Sequence, residues 1–158
     1  MDALIPGSFD PPTLGHLDII KKAALIFPRV WVAVLHNPSK KTMFSPRERT
    51  ELLKKDATEL TNVSVFYSNE MVVSLAKKLN AVVARGIRGS KDADFELDMA
   101  SANEDLNPSH LTIFIPSSVS YSRVSSSLAR EAALFGAPVD AWLTPRTARA
   151  LASKVLEL

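Results

Sequence analysis

The sequence contains no cysteine, which excludes disulfide bonds, thiolate metal sites and cysteine nucleophiles. It has no apolar run approaching the roughly 18 residues of a membrane-spanning helix, and it does not open with a basic segment followed by an apolar one. We therefore expect a soluble, cytoplasmic protein without a membrane partner. No G-x-G-x-x-G string follows a strand-like run, which disfavours a dinucleotide-dependent dehydrogenase.

Aromatic residues make up only 7% of the chain, and they are not interleaved with basic residues as a stacking platform for single strands requires. The formal net charge is +2, and the basic residues gather in short clusters: Lys40-Lys41, Arg47 with Arg49, and Arg85 with Arg88. Such clusters suit the phosphates of a small molecule better than a nucleic acid, which needs a continuous basic stripe. We therefore expect no nucleic-acid partner.

Strand-like and helix-like segments alternate along the 158 residues. Apolar runs predict strands at residues 3–5, 30–35, 63–66, 81–84 and 111–115. Helix-like stretches lie at residues 15–26, 46–60, 71–79, 92–106, 126–135 and 145–156. This order predicts one α/β domain over residues 1–158, with a doubly wound, five-stranded parallel sheet and C-terminal helices. Ligands of such sheets bind beyond the carboxyl ends of the strands.

The segment between the first strand and the first helix carries the strongest site signal. It reads GSFDPPTLGH (residues 7–16). Gly7 and Gly15 allow close approach of the backbone to a ligand, and the N-terminus of the next helix offers free N–H groups to phosphate. His16 falls in the first turn of that helix. The alternative is a plain strand-to-helix turn in which His16 is a solvated helix cap.

Polar and basic side chains also follow the other strands. Residues 37–41 read NPSKK after the second strand, residues 85–88 read RGIR after the fourth, and residues 117–127 are rich in serine after the fifth. Arginine is the forked donor for bidentate phosphate contacts. Each motif alone has an ordinary explanation as surface arginines, loop lysines or a serine helix cap. Their convergence on one edge of the sheet favours a nucleotide site.

Together these motifs resemble those of the bacterial phosphopantetheine adenylyltransferases, a branch of the nucleotidylyltransferase superfamily with the TxGH motif. PGSFDP (residues 6–11) and TLGH (13–16) resemble PGTFDP and TxGH, with Ser8 for the usual Thr and Leu14 for Asn or Asp. NPSKK and RGIR match family segments. DADFE (92–96) resembles the family's D-x-x-Y-E, with Phe95 for Tyr, and SRVSSSL (122–128) resembles its serine motif, with Val124 for Ile.

The resemblance implies a Rossmann-like fold and transfer of AMP from ATP to 4′-phosphopantetheine, which gives dephospho-coenzyme A and pyrophosphate. It implies catalytic roles for His16, Lys40 and Arg88, and acceptor contacts for Ser8, Lys40, Val72 and Arg85. The implied ATP contacts are Ser8, Phe9, His16, Gly86, Ile87, Arg88, Glu96, Tyr121, Ser122, Arg123, Val124, Ser125, Ser126 and Ser127. Magnesium is expected on the triphosphate, because the sequence offers no carboxylate cluster for a protein cage. A homo-hexamer and coenzyme A as a feedback ligand are further implications.

Two other functions stay open. A sibling adenylyl- or cytidylyltransferase acting on nicotinamide mononucleotide, or on a sugar or glycerol phosphate, shares TxGH and the serine motif. Only the acceptor segments NPSKK and RGIR favour phosphopantetheine over these. A non-catalytic nucleotide- or RNA-binding domain on a synthetase-like fold would bind without releasing pyrophosphate. This last alternative lacks support, because no KMSKS-like lysine pair follows the fifth strand.

Overall fold

The computed structural model describes residues 1–37, 39 and 41–157, apart from the side chain of Lys91, and is built on one parallel sheet. Its strands are β1 (Asp2–Gly7), β2 (Val30–Leu35), β3 (Val63–Ser68), β4 (Ala81–Ile87) and β5 (Thr112–Pro116). They lie in the order β3-β2-β1-β4-β5. The chain thus extends the sheet on one side of β1 and then returns to the other side at β4. The predicted fold class is confirmed.

The helices of the described residues are α1 (Leu14–Ile26), α2 (Pro46–Asp56), α3 (Val72–Leu79), α4 (Ser90–Leu106), α5 (Ser126–Leu134) and α6 (Pro145–Leu156), with one 3₁₀ turn at Val119–Tyr121. Local sequence sets several of their ends. Ser45 and Glu48 form a capping box at the start of α2. Gly136 follows α5 with a φ of 71°, as expected for a glycine just past a helix end.

Helices cover both faces of the sheet. Ala3 and Ile5 of β1 point to a cluster shared with α1 and α2, whereas Leu4 points to the opposite cluster with α3. Because both faces are buried, the strands read as continuous apolar runs rather than alternating ones. A third cluster around Phe44 and Leu143 joins α5 and α6 to the segment before α2. Within the described residues, no helix combines the length and the apolar character that crossing a membrane requires.

Several element boundaries differ from the prediction, most of them by one or two residues. We predicted that RGIR follows β4, and this is wrong because Arg85, Gly86 and Ile87 are the last residues of that strand. The reason is tertiary: β5 pairs with β4 as far as Ile87 opposite Pro116, so the ladder continues beyond the apolar run. Similarly, α4 begins at Ser90 rather than at residue 92, and α2 ends at Asp56 because residues 57–59 form a turn.

Candidate active site

A cavity of about 330 Å³ lies at the carboxyl ends of β1 and β4, where the strand order reverses. The β1–α1 loop, the first turn of α1, the end of β4, the start of α4 and the start of α5 supply its walls. The predicted site residues that line it are Ser8, Phe9, His16, Arg85, Gly86, Arg88, Glu96, Val124, Ser125, Ser126 and Ser127. Motifs far apart in the sequence therefore meet in one cavity, as their positions at strand ends predicted.

Phe9 shapes the β1–α1 loop. It adopts a left-handed φ of 50°, which is unfavourable for a side chain of this size, yet its ring is buried at 3% exposure. The ring lies edge-on to His16 with 4.9 Å between ring centroids. It also lies over Gly7, where an added Cβ would come within 2.9 Å of Phe9 Cζ. The close approach that Gly7 permits is thus that of the Phe9 ring, although Gly7 also lines the cavity.

His16 is oriented by the cap of its own helix. The Thr13 N–H donates to His16 Nδ1 at 3.0 Å, and Thr13 Oγ1 accepts from the His16 N–H at 3.3 Å, which completes a capping box. Because Nδ1 accepts a hydrogen bond, the ring proton belongs on Nε2. Burial, followed by the charges of Arg88 and Arg85, lowers the pKa of His16 to about 4. His16 is therefore both a helix cap and a neutral ring lining the cavity.

Arg85 is held by Glu96 of α4. Its Nε and Nη2 donate to the two carboxylate oxygens of Glu96 at 2.5 and 2.7 Å, and its Nη1 donates to the carbonyl of Pro6 at 2.9 Å. Glu96 is buried at 8% exposure, so the carboxylate is committed to this pair. The pair ties the ends of β1 and β4 to α4.

Arg88 is held in the same way by Asp92. Its Nη2 and Nε donate to Asp92 at 2.8 and 3.3 Å, and its Nη1 donates to the carbonyl of Val124 at 3.2 Å. The hydrogen bond to Asp92 raises the pKa of Arg88, and the same bond holds the pKa of Asp92 below its usual value. Both groups therefore stay ionised at neutral pH.

The charges of the described cavity lining are balanced, since the two guanidiniums face two carboxylates. On each arginine, one N–H of Nη1 and one of Nη2 remain for a ligand after the contacts given above. A bound anion would thus meet guanidiniums that are already oriented and only partly used. Arginine suits this task because its planar fork presents several donors at fixed angles.

The serines at the start of α5 are mostly engaged with protein atoms. Ser125 is the N-cap and accepts the N–H three residues on at 3.1 Å, while the Ser126 hydroxyl donates to the carbonyl of Pro11 at 2.8 Å. Ser127 Oγ accepts from Arg130 at 3.3 Å, which leaves its own proton available. The first N–H groups of α5 have no partners within the helix, so this end of the cavity suits an anion.

A second cavity, of about 260 Å³, lies beside the first and shares Pro6, Gly7, Ser8, Arg85 and Glu96 with it. Six apolar residues line the rest of it: Leu35, Val72, Val83, Phe95, Met99 and Ala100. Three polar side chains complete the lining: Asn37, Asn103 and Thr112. Val72, predicted to contact the acceptor, is one of these residues. A long ligand with a charged end could therefore place that end at the shared residues and its body in the second cavity.

Four predicted site residues line neither of these two cavities: Ile87, Tyr121, Ser122 and Arg123. Tyr121 belongs to the 3₁₀ turn, and its carbonyl oxygen would lie 3.8 Å from a Cβ added at Gly15. The Ser122 hydroxyl donates to the carbonyl of Val119. Lys40 lies outside the described residues, so its predicted contacts stay predictions.

Sequence reasoning assigned no role to Asp10, although the structure gives it several partners. Both of its carboxylate oxygens accept backbone N–H groups, one from Met43 and one from Phe44. These partners are more than 30 residues away in the chain, at separations of 33 and 34. The capping box of Thr13 with His16 was also missed, because capping boxes usually carry Glu or Gln at that position.

Comparison with known proteins agrees with this geometry. Residues 4–132 match the family model described as cytidylyltransferase-like. The phosphopantetheine adenylyltransferase of Caldanaerobacter subterraneus subsp. tengcongensis is 44% identical over 153 residues, which is 96% of each chain. That of Symbiobacterium thermophilum is 42% identical and covers 96% of this chain and 94% of its own. That of Thermotoga neapolitana is 41% identical and covers 99% and 98%.

A solved structure supports the fold. A Vibrio parahaemolyticus protein assigned as a nicotinate-nucleotide adenylyltransferase superposes with a TM-score of 0.67 at 21% identity, covering 99% of this chain and 91% of that one. At that identity the likeness concerns the fold alone. Because the family model matches residues 4–132 and the relatives are 41–44% identical over nearly their full length, the chain belongs to the cytidylyltransferase-like family and, within it, to the phosphopantetheine adenylyltransferases.

Proposed function

We propose that the protein transfers the adenylyl group of ATP to 4′-phosphopantetheine, giving dephospho-coenzyme A and pyrophosphate. The observation that carries this proposal is the pair of adjoining cavities. One is lined by His16, two arginines and the start of α5, and the other is mainly apolar. The first cavity suits a nucleoside triphosphate. The second suits the uncharged pantetheine arm of the acceptor, and the phosphate at the end of that arm would reach the residues common to both cavities, Ser8 and Arg85 among them.

The chemistry requires no general base from the protein. An oxygen of the acceptor phosphate, already ionised at neutral pH, forms a bond to the α-phosphorus of ATP. The bond from that phosphorus to the oxygen bridging to the β-phosphate breaks, and pyrophosphate leaves with the electron pair. Catalysis then consists of aligning the two phosphates and stabilising the charge that shifts during transfer. Oriented N–H donors are suited to both tasks.

We assign the donors by their place in the cavities. The Nε2–H of His16 would bind the α-phosphate, and Arg88 with the start of α5 would bind the phosphates that leave. Ser8 and Arg85 lie on the wall common to both cavities, so they would hold the acceptor phosphate between them. Glu96 orients Arg85, and we propose that it also faces the ATP side. Lys40 would contact the reacting phosphates.

Magnesium would enter with the nucleotide. Among the described residues, no group of three or more His, Cys, Asp or Glu side chains could hold a metal ion. The cavity carboxylates, Asp92 and Glu96, are each paired with an arginine. We therefore propose that Mg²⁺ binds the phosphates of ATP rather than a protein cage, where it would neutralise part of their charge.

We further propose a homo-oligomer, a hexamer by resemblance to the family, in the cytoplasm. Among the described side chains of α4, only that of Glu96 is buried. The exposed fractions of Phe95, Leu97, Met99 and Leu106 are 61, 51, 44 and 62%. Apolar exposure of this extent is typical of protein interfaces. Light scattering of the pure protein measures its mass, and a monomer at micromolar concentration would contradict the proposal.

The test of the function is pyrophosphate release. The pure protein is incubated with ATP and Mg²⁺, and with 4′-phosphopantetheine, nicotinamide mononucleotide or no acceptor. We expect release with 4′-phosphopantetheine only. Pyrophosphate release with nicotinamide mononucleotide would identify the sibling reaction instead. Binding of ATP without pyrophosphate release in the presence of either acceptor would support a binding domain. Coenzyme A carries the same arm, so we also expect it to inhibit in competition with 4′-phosphopantetheine.

A further inference from the structure

We infer that Asp18 is a positioning residue that holds the segment after β5 against α1 and so fixes one wall of the first cavity for ATP. This inference rests on the proposed function, because that function places ATP in the first cavity. The side chain of Asp18 has an exposed fraction of 12%. Its Oδ2 accepts the N–H of Ser118 at 2.8 Å, and its Oδ1 accepts a hydrogen bond from the Ser118 hydroxyl at 2.7 Å. One carboxylate of α1 thus binds two donors of a residue 100 positions away in the chain.

Lys22, about one turn further along α1, holds the same segment at a second point. Its Nζ donates to the carbonyl of Pro116 at 2.7 Å and to Asp18 Oδ2 at 2.9 Å. Burial opposes ionisation of Asp18, but the hydrogen bonds from Ser118 and Lys22 outweigh it and hold the pKa of Asp18 below its usual value. The carboxylate is therefore ionised at neutral pH, and the hydrogen bonds that it accepts are charge-assisted.

These contacts fix both neighbours of Ser117, a residue that lines the first cavity. The N–H of Ser117 donates to the carbonyl of Ile87 at 2.8 Å, which ties the residue to the end of β4 as well. Pro116 and Ser118 are thus held by α1, and Ser117 is held by β4. The backbone of this part of the wall therefore has little freedom, although Ser117 lies between two regular elements.

The same anchor stands at the start of the turn that leads to the serine motif. Ser118 is the N-cap of the 3₁₀ turn. The carbonyl of Tyr121, at the end of that turn, accepts the N–H of Val124, and the carbonyl of Val124 accepts from Nη1 of Arg88 at 3.2 Å. Val124 lines the first cavity two residues before α5 begins. Asp18 therefore fixes one end of a short segment whose other end contacts Arg88 and leads into α5.

Charge and geometry predict opposite effects when Asp18 is replaced. Its negative charge lies two residues beyond His16, so loss of the charge alone should favour binding of the triphosphate. Loss of the hydrogen bonds should instead release the segment and weaken ATP binding, because the wall must then be ordered when the ligand binds. The sign of the change therefore distinguishes a positioning role from a purely electrostatic one.

Asp18→Ala removes the charge and the hydrogen bonds together. We expect the dissociation constant for ATP, measured by calorimetry without an acceptor, to rise about tenfold. The KM for 4′-phosphopantetheine should change less, because neither Ser117 nor Val124 lines the second cavity. An unchanged or lower dissociation constant for ATP would overturn the inference, and so would equal losses for the two substrates.

Asp18→Asn removes the charge and keeps the anchor. The asparagine oxygen can accept the Ser118 N–H, and its amide nitrogen can donate to the Ser118 hydroxyl, which is also an acceptor. We therefore expect a dissociation constant for ATP within about threefold of wild type. A rise as large as that of Asp18→Ala would show that the hydrogen bonds are not what matters, and the inference would fail.

A double-mutant cycle tests the contact itself. Ser118→Ala removes the hydroxyl and keeps the N–H, so alone it should raise the dissociation constant for ATP by about two- to threefold. In the Asp18→Ala background this effect should vanish, because the partner is already absent, whereas additive effects would contradict the inference. Should Asp18→Ala fail to fold, Ser118→Ala and Lys22→Met each remove one anchor, and unchanged affinity in both would overturn the inference.

Asp56→Ala is the matched control. The Asp56 carboxylate is also buried, at 3% exposure, and accepts hydrogen bonds from the hydroxyls of Thr144 and Thr147 at 2.9 and 2.8 Å. It lines neither cavity. We expect this variant to lose stability but to bind ATP as the wild type does. A loss of affinity as large as that of Asp18→Ala would show a general effect of destabilisation and would count against a specific role.

Amide hydrogen exchange provides a readout that does not depend on ATP. The Ser118 N–H should exchange faster in Asp18→Ala but not in Asp56→Ala. Unchanged protection of this amide would overturn the inference even if the affinity for ATP falls. If the wild-type protein releases no pyrophosphate with 4′-phosphopantetheine, the proposed function fails, while the exchange measurement and the affinity for ATP still decide whether Asp18 holds the wall.

Discussion

His16 offers a prediction in which two roles of one side chain can be separated. Its Nδ1 accepts the N–H of Thr13 within the capping box, while its Nε2 carries the proton of a ring that lines the cavity. His16→Asn places an amide oxygen near the position of Nδ1 and nothing at the position of Nε2. His16→Ala removes both. The asparagine variant therefore keeps the helix cap and loses only the donor.

The expected magnitudes follow from these contacts. His16→Ala should lose about 0.5–1 kcal/mol of unfolding free energy through the cap, and His16→Asn only a few tenths. Both should lower kcat by roughly 10²–10³-fold, the usual loss when one oriented donor to a developing charge is removed. Urea unfolding gives the first quantity and pyrophosphate release the second. An asparagine variant with kcat within about threefold of wild type would refute the assignment of the donor.

The titration of His16 supplies an independent check. Its pKa is lowered from 6.5 to about 4, so the folded protein leaves the ring neutral where the unfolded chain would protonate it. The free energy of unfolding should therefore fall as the pH drops from about 6.5 towards 4, by at most about 3 kcal/mol relative to His16→Asn. NMR titration of the ring measures the pKa directly. A value near or above 6.5 would contradict the neutral donor.

Three further variants test the walls of the cavities. Gly86→Ala should lower the unfolding free energy by about 1–3 kcal/mol, because the new Cβ would lie 2.8 Å from Cγ1 of the buried Ile19. An unchanged midpoint of urea denaturation would contradict this expectation. Glu96→Gln should weaken the bidentate pair with Arg85, so the KM for 4′-phosphopantetheine should rise. An unchanged KM would show that this pair does not contribute to acceptor binding. Val72→Trp should fill the second cavity and raise the KM for 4′-phosphopantetheine by about tenfold or more, without changing the KM for ATP. Equal increases in the two KM values would contradict separate subsites for the two substrates.

Much of the site was predictable because its motifs lie at the ends of strands or directly after them. Parallel strands end at the same edge of the sheet, so His16, Arg85, Arg88 and the serine motif were expected to meet. The first three line one cavity together with residues 124–127 of the serine motif. The extent of β4 was not predictable, because it depends on pairing with β5 and not on the apolar run itself. Roles in binding and catalysis remain predictions for each of these residues, as does the single domain over residues 1–158.

Three things were determined by the sequence alone. The periodicity of apolar residues determined the fold class, the helix caps determined most helix starts, and the motifs beside the strands determined which residues gather at the sheet edge. These features are local, since each depends on neighbours within a few residues. Only the tertiary structure decided how the charges are paired. Glu96 and Asp92 neutralise the two arginines, and Asp10 binds amides of a distant loop. Such contacts depend on distances between segments far apart in the chain, and those distances exist only once the sheet has formed.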